Sequence, residues 1–179
     1  MRVELDLKAL VRTIPDHPKP GIMFRDVTTL LKHAAGFNAC IERLVEPYRA
    51  AGIEAVVGIE ARGFILGGAV ADRLGTGFVP LRKKGRLPSR TIGQEYQLEY
   101  GTDVLEIHED AILSGERILI VDDLIATGGT AEAAAKLVRR LGGVPVGAAF
   151  VIDLPELGGA AKLEAQGLPC HTLIAFEGH

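Results

Sequence analysis

The sequence predicts an α/β fold built on a mostly parallel central sheet, and three observations lead there. Short runs rich in Val and Ile alternate with stretches of helical periodicity. The runs are apolar on both faces, as strands buried between two layers are. Glycines stand just past the helical stretches, at the C′ position that favours a left-handed residue. Strand and helix in alternation give a sheet covered on both sides.

In chain order, the predicted strands are 55–59 (AVVGI), 77–81 (GFVPL), 118–121 (ILIV), 144–152 and 171–175 (HTLIA), a central sheet of five. Helices are predicted over 37–50, 63–74, 129–141 and 156–165, with Gly52, Gly75, Gly142 and Gly167 after them. Two segments break the alternation. Residues 82–113 are polar and include YQLEYG and VLEIHED, whose period of two predicts a hairpin with one solvated face. An excursion of that length inside a compact domain reads as a flexible lid. Residues 1–35 form a short helix, a Pro-rich turn (IPDHPKPG) and IMFRDVTTLL, a small hood outside the repeat.

Composition sets the remaining bounds. At 179 residues, 47% apolar and 24% charged, the chain fits one globular domain over 1–179. A net charge of −3 gives no global attraction to nucleic acid or an anionic membrane, so any anion site is local. No apolar run has bilayer length, and MRVELDLKAL lacks the basic-then-apolar layout of a signal peptide, so a cytoplasmic protein is expected. Cys40 and Cys170 are far apart, and the five histidines show no ligand spacing, which leaves no protein-built transition-metal site in view.

The most informative stretch is ILIVDDLIATGGT, 118–130. Taking 118–121 as strand and Thr130 as the start of a helix, 122–129 reads as the turn between them. Small residues there let helix N–H groups crowd an anion, and the helix dipole favours a phosphate. Asp122 and Asp123 would repel a bare polyphosphate, but carboxylates accept hydrogen bonds from vicinal sugar hydroxyls. A ribose 5-phosphate satisfies both halves. A simpler reading, an N-capped helix with an acidic first turn, accounts for the same residues.

VDDLIATGGT resembles the signature of the type I phosphoribosyltransferases, which bind 5-phosphoribosyl 1-pyrophosphate (PRPP). The resemblance implies that Asp122 and Asp123 hold the ribose hydroxyls, while Ala126, Thr127, Gly128, Gly129 and Thr130 cradle the 5′-phosphate. It makes GIEARGF (58–64) the pyrophosphate loop, with Glu60, Ala61 and Arg62 and an expected cis peptide between Glu60 and Ala61. The Arg62 fork suits phosphate oxygens. In RKKGRLPSR (82–90), five basic residues occur with no acid and no interleaved aromatic, which disfavours single-stranded nucleic acid. Arg82 and Lys83 become pyrophosphate ligands at the base of the lid, with Lys84 solvent-facing. Arg86 stands where the family commonly has Lys, which keeps the charge and changes the geometry.

IPDHPKPGIMFRD (14–26) and QLEYG (97–101) extend the resemblance over nearly the whole chain, to the adenine-specific branch of that family. A hood and a lid around a five-stranded sheet are what this fold implies. Phe24 would stack on one face of the purine and Leu124 on the other. Arg25 would donate to a ring nitrogen, and the carbonyl of Met23 would accept from the exocyclic amine. Glu99 is the candidate acid/base at the imidazole ring. Tyr100 would donate to the pyrophosphate or pack the closed lid. The implied reaction joins adenine and PRPP to give AMP and pyrophosphate, with Mg2+ held through PRPP and water and by no side chain directly. Small-molecule substrates and a homodimer are expected, with no nucleic-acid or membrane partner. The alternatives are transfer to another base such as xanthine, or a regulator that senses PRPP without turnover.

Overall fold

The computed structural model describes residues 4–98 and 100–178. Seven strands form one sheet in the order β5–β6–β4–β3–β7–β8–β9. β3 (Ala55–Ile59), β4 (Gly77–Lys83), β7 (Arg117–Ile125), β8 (Val144–Asp153) and β9 (Cys170–Ala175) are parallel neighbours, the five predicted strands. The excursion supplies β5 (Thr91–Gln97) and β6 (Thr102–His108), an antiparallel hairpin. It is not detached from the sheet: β6 pairs with the end of β4 through Arg82↔Glu106 and Lys83↔Leu105. A separate two-stranded ribbon, β1 (Arg12–Ile14) with β2 (Phe24–Asp26), makes the hood.

Each face of the sheet carries its own core. Val56, Leu119 and Val121 pack with α2 (Ala34–Val45) and α3 (Arg62–Leu74). Their strand neighbours Val57, Ile118 and Ile120 pack with α4 (Gly129–Arg140) and α5 (Gly159–Ala165). The hood residues Leu7, Val27 and Leu30, of which Leu30 lies in the short α1 (Thr28–Lys32), join the first core. α3 lies unusually close to β3: a Cβ on Gly58 would stand 2.5 Å from the Gly63 carbonyl oxygen, and Phe78 fills the gap beside it.

Element boundaries differ from expectation for local reasons. α2 begins at Ala34 because the His33 Nδ1 accepts from the Gly36 N–H at 2.9 Å. It ends at Val45, and Pro47 carries the chain into a 3-10 turn, Glu46–Tyr48. The predicted helix 156–165 is two pieces, a 3-10 turn Pro155–Leu157 and α5, divided at Gly158 with φ +77°. The largest correction concerns 122–129. β7 continues through Asp122, Asp123, Leu124 and Ile125, so the turn is only residues 126–128. β7 is flanked on both sides by parallel neighbours, and its ladder with β8 runs on to Ile125↔Asp153.

Candidate active site

The carboxyl ends of β3, β4 and β7 meet around one cavity of about 160 Å³. β3 runs into Glu60–Ala61, a cis peptide as expected, and Arg62 opens α3. Arg62 Nε donates to Asp123 Oδ2 at 2.5 Å. That partner makes a buried carboxylate tolerable, since Asp123 is only 7% exposed. Gly63 rests against β7: a Cβ there would lie 3.0 Å from Asp122 Oδ1. The Glu60 carboxylate accepts from the Lys83 N–H at 2.6 Å and faces Arg82 Nε at 3.5 Å. Loop and β4 are therefore fastened to each other by one acid.

A second cavity of about 150 Å³ continues from the first, sharing Asp122 and Thr130, and is walled by Ala126, Thr127, Gly128 and Gly129. Gly128 caps α4 with φ +85°, a backbone only glycine adopts freely, and its carbonyl accepts the Glu132 N–H at 2.9 Å. The turn is buttressed from behind. Gly159 N–H donates to the Ala126 carbonyl at 3.0 Å, and a Cβ on Gly159 would come within 2.4 Å of that oxygen.

Charge is unevenly held in this groove. Burial, and then the neighbouring charge of Asp123, push the Asp122 carboxyl well above the ordinary carboxylate value. The hydrogen bond to Asp123 raises Arg62, and the charges of Asp122 and Asp26 add to it. Asp26 of the hood goes the other way. Burial works to raise it, but the Thr28 hydroxyl and N–H and the Arg12 guanidinium hold it at about 2.

The β5–β6 hairpin leans over the turn 126–128. Tyr96 and Leu105 line the first cavity, and the Gln97 carbonyl stands 3.5 Å from where a Cβ on Gly129 would be. Arg140 Nη1 donates to the Gly93 carbonyl at 2.6 Å, tying β5 to α4. A cleft of about 720 Å³ opens between the lid and α4. Lys136 and Lys162 on its wall both pair with Glu132, which Gln166, Lys162 and Lys136 together hold at about 2.

The structure thus brings together Asp122, Asp123, Glu60, Arg62, Lys83, Thr130 and the turn 126–130. Arg82 is adjacent, its Nε buried and without a hydrogen-bond partner. Lys83 Nζ is 3.6 Å from Asp103. Lys84 and Arg86 are exposed beyond the end of β4. Leu124 is half-buried against the core that the hood shares. Phe24 is half-buried with its ring edge-on to His17, centroids 5.1 Å apart, and Met23 is exposed.

Three expectations need revision or lie beyond view. Arg25 does not present its side chain as a base donor: Nη1 donates to Thr13 Oγ1 at 2.7 Å, and the guanidinium lies 4.2 Å from the Phe176 ring centroid. Side chains alternate along a strand, so Arg25 faces away from Phe24 and Asp26, and what β2 can offer a ligand there is backbone. Tyr100 is 76% exposed, with Lys19 Nζ 4.7 Å over its ring, which places it by the hood rather than at the pyrophosphate loop. Glu99 lies outside the described residues. Sequence reasoning overlooked Tyr96 as a wall of the cavity and Gly159 as the buttress; the only signal for the latter was the Gly pair itself.

Among the described residues no three His, Cys, Asp or Glu side chains gather to hold a metal ion, and no helix is long and apolar enough to cross a membrane. A divalent cation fits this donor set as a passenger on a polyphosphate, where substrate oxygens complete its shell.

Comparison with known proteins gives one answer. Residues 26–165 match the model of the phosphoribosyl transferase domain. The chain is 61% identical over 179 residues to an adenine phosphoribosyltransferase of Bradyrhizobium sp. (strain BTAi1 / ATCC BAA-1182), covering 100% of both. The crystal structure of adenine phosphoribosyltransferase from Rhodothermus marinus is 54% identical with a TM-score of 0.90, covering 95% of this chain and 96% of that one. The enzyme from Saccharomyces cerevisiae, solved with an imino-altritol bisphosphate and adenine, is 39% identical with a TM-score of 0.88, covering 94% and 96%.

Proposed function

The chain belongs to the phosphoribosyltransferase family, and on that premise we propose that it transfers the 5-phosphoribosyl group of PRPP to adenine in purine salvage, giving AMP and pyrophosphate. One observation carries the reading: two cavities share Asp122 and Thr130, with acids and cations around one and, around the other, the Gly-rich turn at the N-terminus of α4. That is the outline of a sugar with a phosphate at one end and a pyrophosphate at the other.

The residues divide the work accordingly. The turn 126–130 donates backbone N–H groups to the 5′-phosphate at the N-terminus of α4. Asp122 and Asp123 accept from the ribose hydroxyls. Arg62, Arg82 and Lys83 face the charge that grows on the departing pyrophosphate, where fixed donors in a dry site lower the barrier most. The lid excludes water, so that the base rather than hydroxide meets the sugar carbon. Glu99 takes the proton that the purine nitrogen sheds on bonding the sugar. Phe24 and Leu124 hold the ring. The free edge of β2 offers a carbonyl, that of Met23, to the exocyclic amine and an N–H, that of Arg25, to a ring nitrogen; a 6-oxopurine needs the opposite polarity.

Mg2+ carried in on PRPP supplies further positive charge at the pyrophosphate oxygens. A cytoplasmic homodimer completes the reading, supported by family membership. The test offers PRPP and Mg2+ with adenine, hypoxanthine, guanine, xanthine and uracil in parallel. Nucleotide is expected with adenine alone; product with another base and none with adenine would overturn the assignment.

A further inference from the structure

The C-terminal tail reaches the hood chiefly through one aromatic ring, that of Phe176. β9 ends at Ala175, and the Phe176 N–H donates to the Asp153 carbonyl at 3.1 Å, which pins the residue to the carboxyl end of β8. Two cations lie over its ring: Lys8 Nζ at 4.8 Å from the centroid and the Arg25 guanidinium at 4.2 Å. Arg25 is also held by Thr13, its opposite number in the β1–β2 register, and reaches the Glu177 carbonyl at 3.5 Å. Its Nε is buried with no hydrogen-bond partner, so the ring shares with Thr13 and the Glu177 carbonyl the work of fixing how the guanidinium lies.

This matters because β2 has three residues and one neighbour. A two-stranded ribbon is marginal without outside support. The face of β2 opposite Arg25 carries Phe24 and Asp26, and Asp26 is near enough to Arg62 for its charge to be felt there. The two faces are rigidly related by the strand's alternation. Whatever holds Arg25 therefore sets where Phe24 and the free backbone edge stand relative to the sugar site.

We propose that Phe176 is a positioning residue for the acceptor base: by stacking under Arg25 it holds β2 in place, without touching the base itself. The proposal rests on the adenine reading above. It is tested in the full-length enzyme with Phe176→Ala, Phe176→Leu and Phe176→Tyr, by millisecond hydrogen exchange at the amides of residues 24–26 and by steady-state kinetics in both substrates. Loss of the ring in the Ala and Leu variants is expected to speed exchange in β2 and raise the adenine KM, each about three- to tenfold. The PRPP KM and exchange in residues 118–125 should stay within about twofold of the parent, because those groups sit on β7. Phe176→Tyr, which keeps the ring, should behave as the parent. Unchanged β2 exchange in both the Ala and the Leu variant would overturn the proposal. So would a parallel rise of both KM values with a lowered Tm, or a Tyr variant that behaves like Leu. If the parent forms no AMP from adenine, the function fails on its own, and exchange alone decides whether the ring holds the strand.

Discussion

Gly159 offers the sharpest handle on the phosphate turn, because the two nearest atoms to the position of its absent side chain are backbone of that turn. In Gly159→Ala the new Cβ would lie 2.4 Å from the Ala126 carbonyl oxygen, 2.8 Å from the Gly128 nitrogen and 2.9 Å from Ile125 Cγ1. Ordinary van der Waals contact begins near 3.4 Å, so turn and helix must part by roughly 1 Å. The Gly159 N–H to Ala126 bond weakens with the same displacement. Misplacing a binding group by about 1 Å lowers rates by roughly a hundredfold, and about tenfold is expected if α5 absorbs half of the shift. The expected result is therefore a ten- to hundredfold fall in kcat/KM for PRPP, with the adenine KM at saturating PRPP within about twofold of the parent. Gly158→Ala is the control. Its φ of +77° strains any side chain, yet nothing lies within 4 Å, so about 1–2 kcal/mol of stability and roughly 2–8 °C of Tm should go without a specific loss of PRPP affinity. Steady-state kinetics and calorimetry on both variants decide. A Gly159→Ala enzyme within threefold of the parent in kcat/KM for PRPP would refute the buttress.

Four further outcomes follow from the geometry. Asp122→Asn should raise Tm at neutral pH while raising the PRPP KM at least about tenfold, because a carboxyl lifted above its ordinary value destabilises the fold when ionised; a lowered Tm counts against it. Asp26 has the opposite sign: its contribution is present above the ordinary value near 3.8 and is lost as pH falls toward about 2, so Asp26→Asn should flatten the acid limb of a Tm–pH profile. Glu99→Gln and Glu99→Leu should lower kcat about a hundredfold, and turnover within a few-fold of the parent would remove Glu99 from proton transfer. Gly68→Ala, in mid-α3 with open space around it, should gain roughly 0.5–1 kcal/mol and about 1–4 °C in a thermal melt.

The strands were readable where composition alone decides: AVVGI and ILIV carry no polar side chain, and a buried sheet is where such short β-branched runs pair their backbone. The continuation of β7 was not, because DD reads locally as a turn. Its ladder with β8 carries it on, and Arg62, 61 residues from Asp123 in sequence, makes the buried carboxylate tolerable there; no local pattern announces such partners. Arg25 failed for a different reason. Its residue type suggested a donor, but the direction of its side chain follows from the register Thr13↔Arg25 across the ribbon. Likewise the Gly pair 158–159 carried no sign that one member tolerates neighbours and the other does not; only the approach of α5 to the turn distinguishes them. The identities of Asp122, Asp123, Arg62 and Lys83 as one cluster were legible, because each stands near the carboxyl end of a parallel strand and such ends converge.

The rungs that join the hairpin to the sheet have a mechanical consequence. β5 and β6 are laced together through seven paired positions, Thr91↔His108 to Gln97↔Thr102, whereas β6 meets β4 at only two. A stiff paddle on a short axle moves as one body, bending where the attachment is thinnest. That axle is Arg82 and Lys83, the same residues proposed above to face the leaving group. In the proposed reaction, a swing of the paddle also rotates the strand that bears those cations, which couples admission of substrate to the arming of the pyrophosphate site.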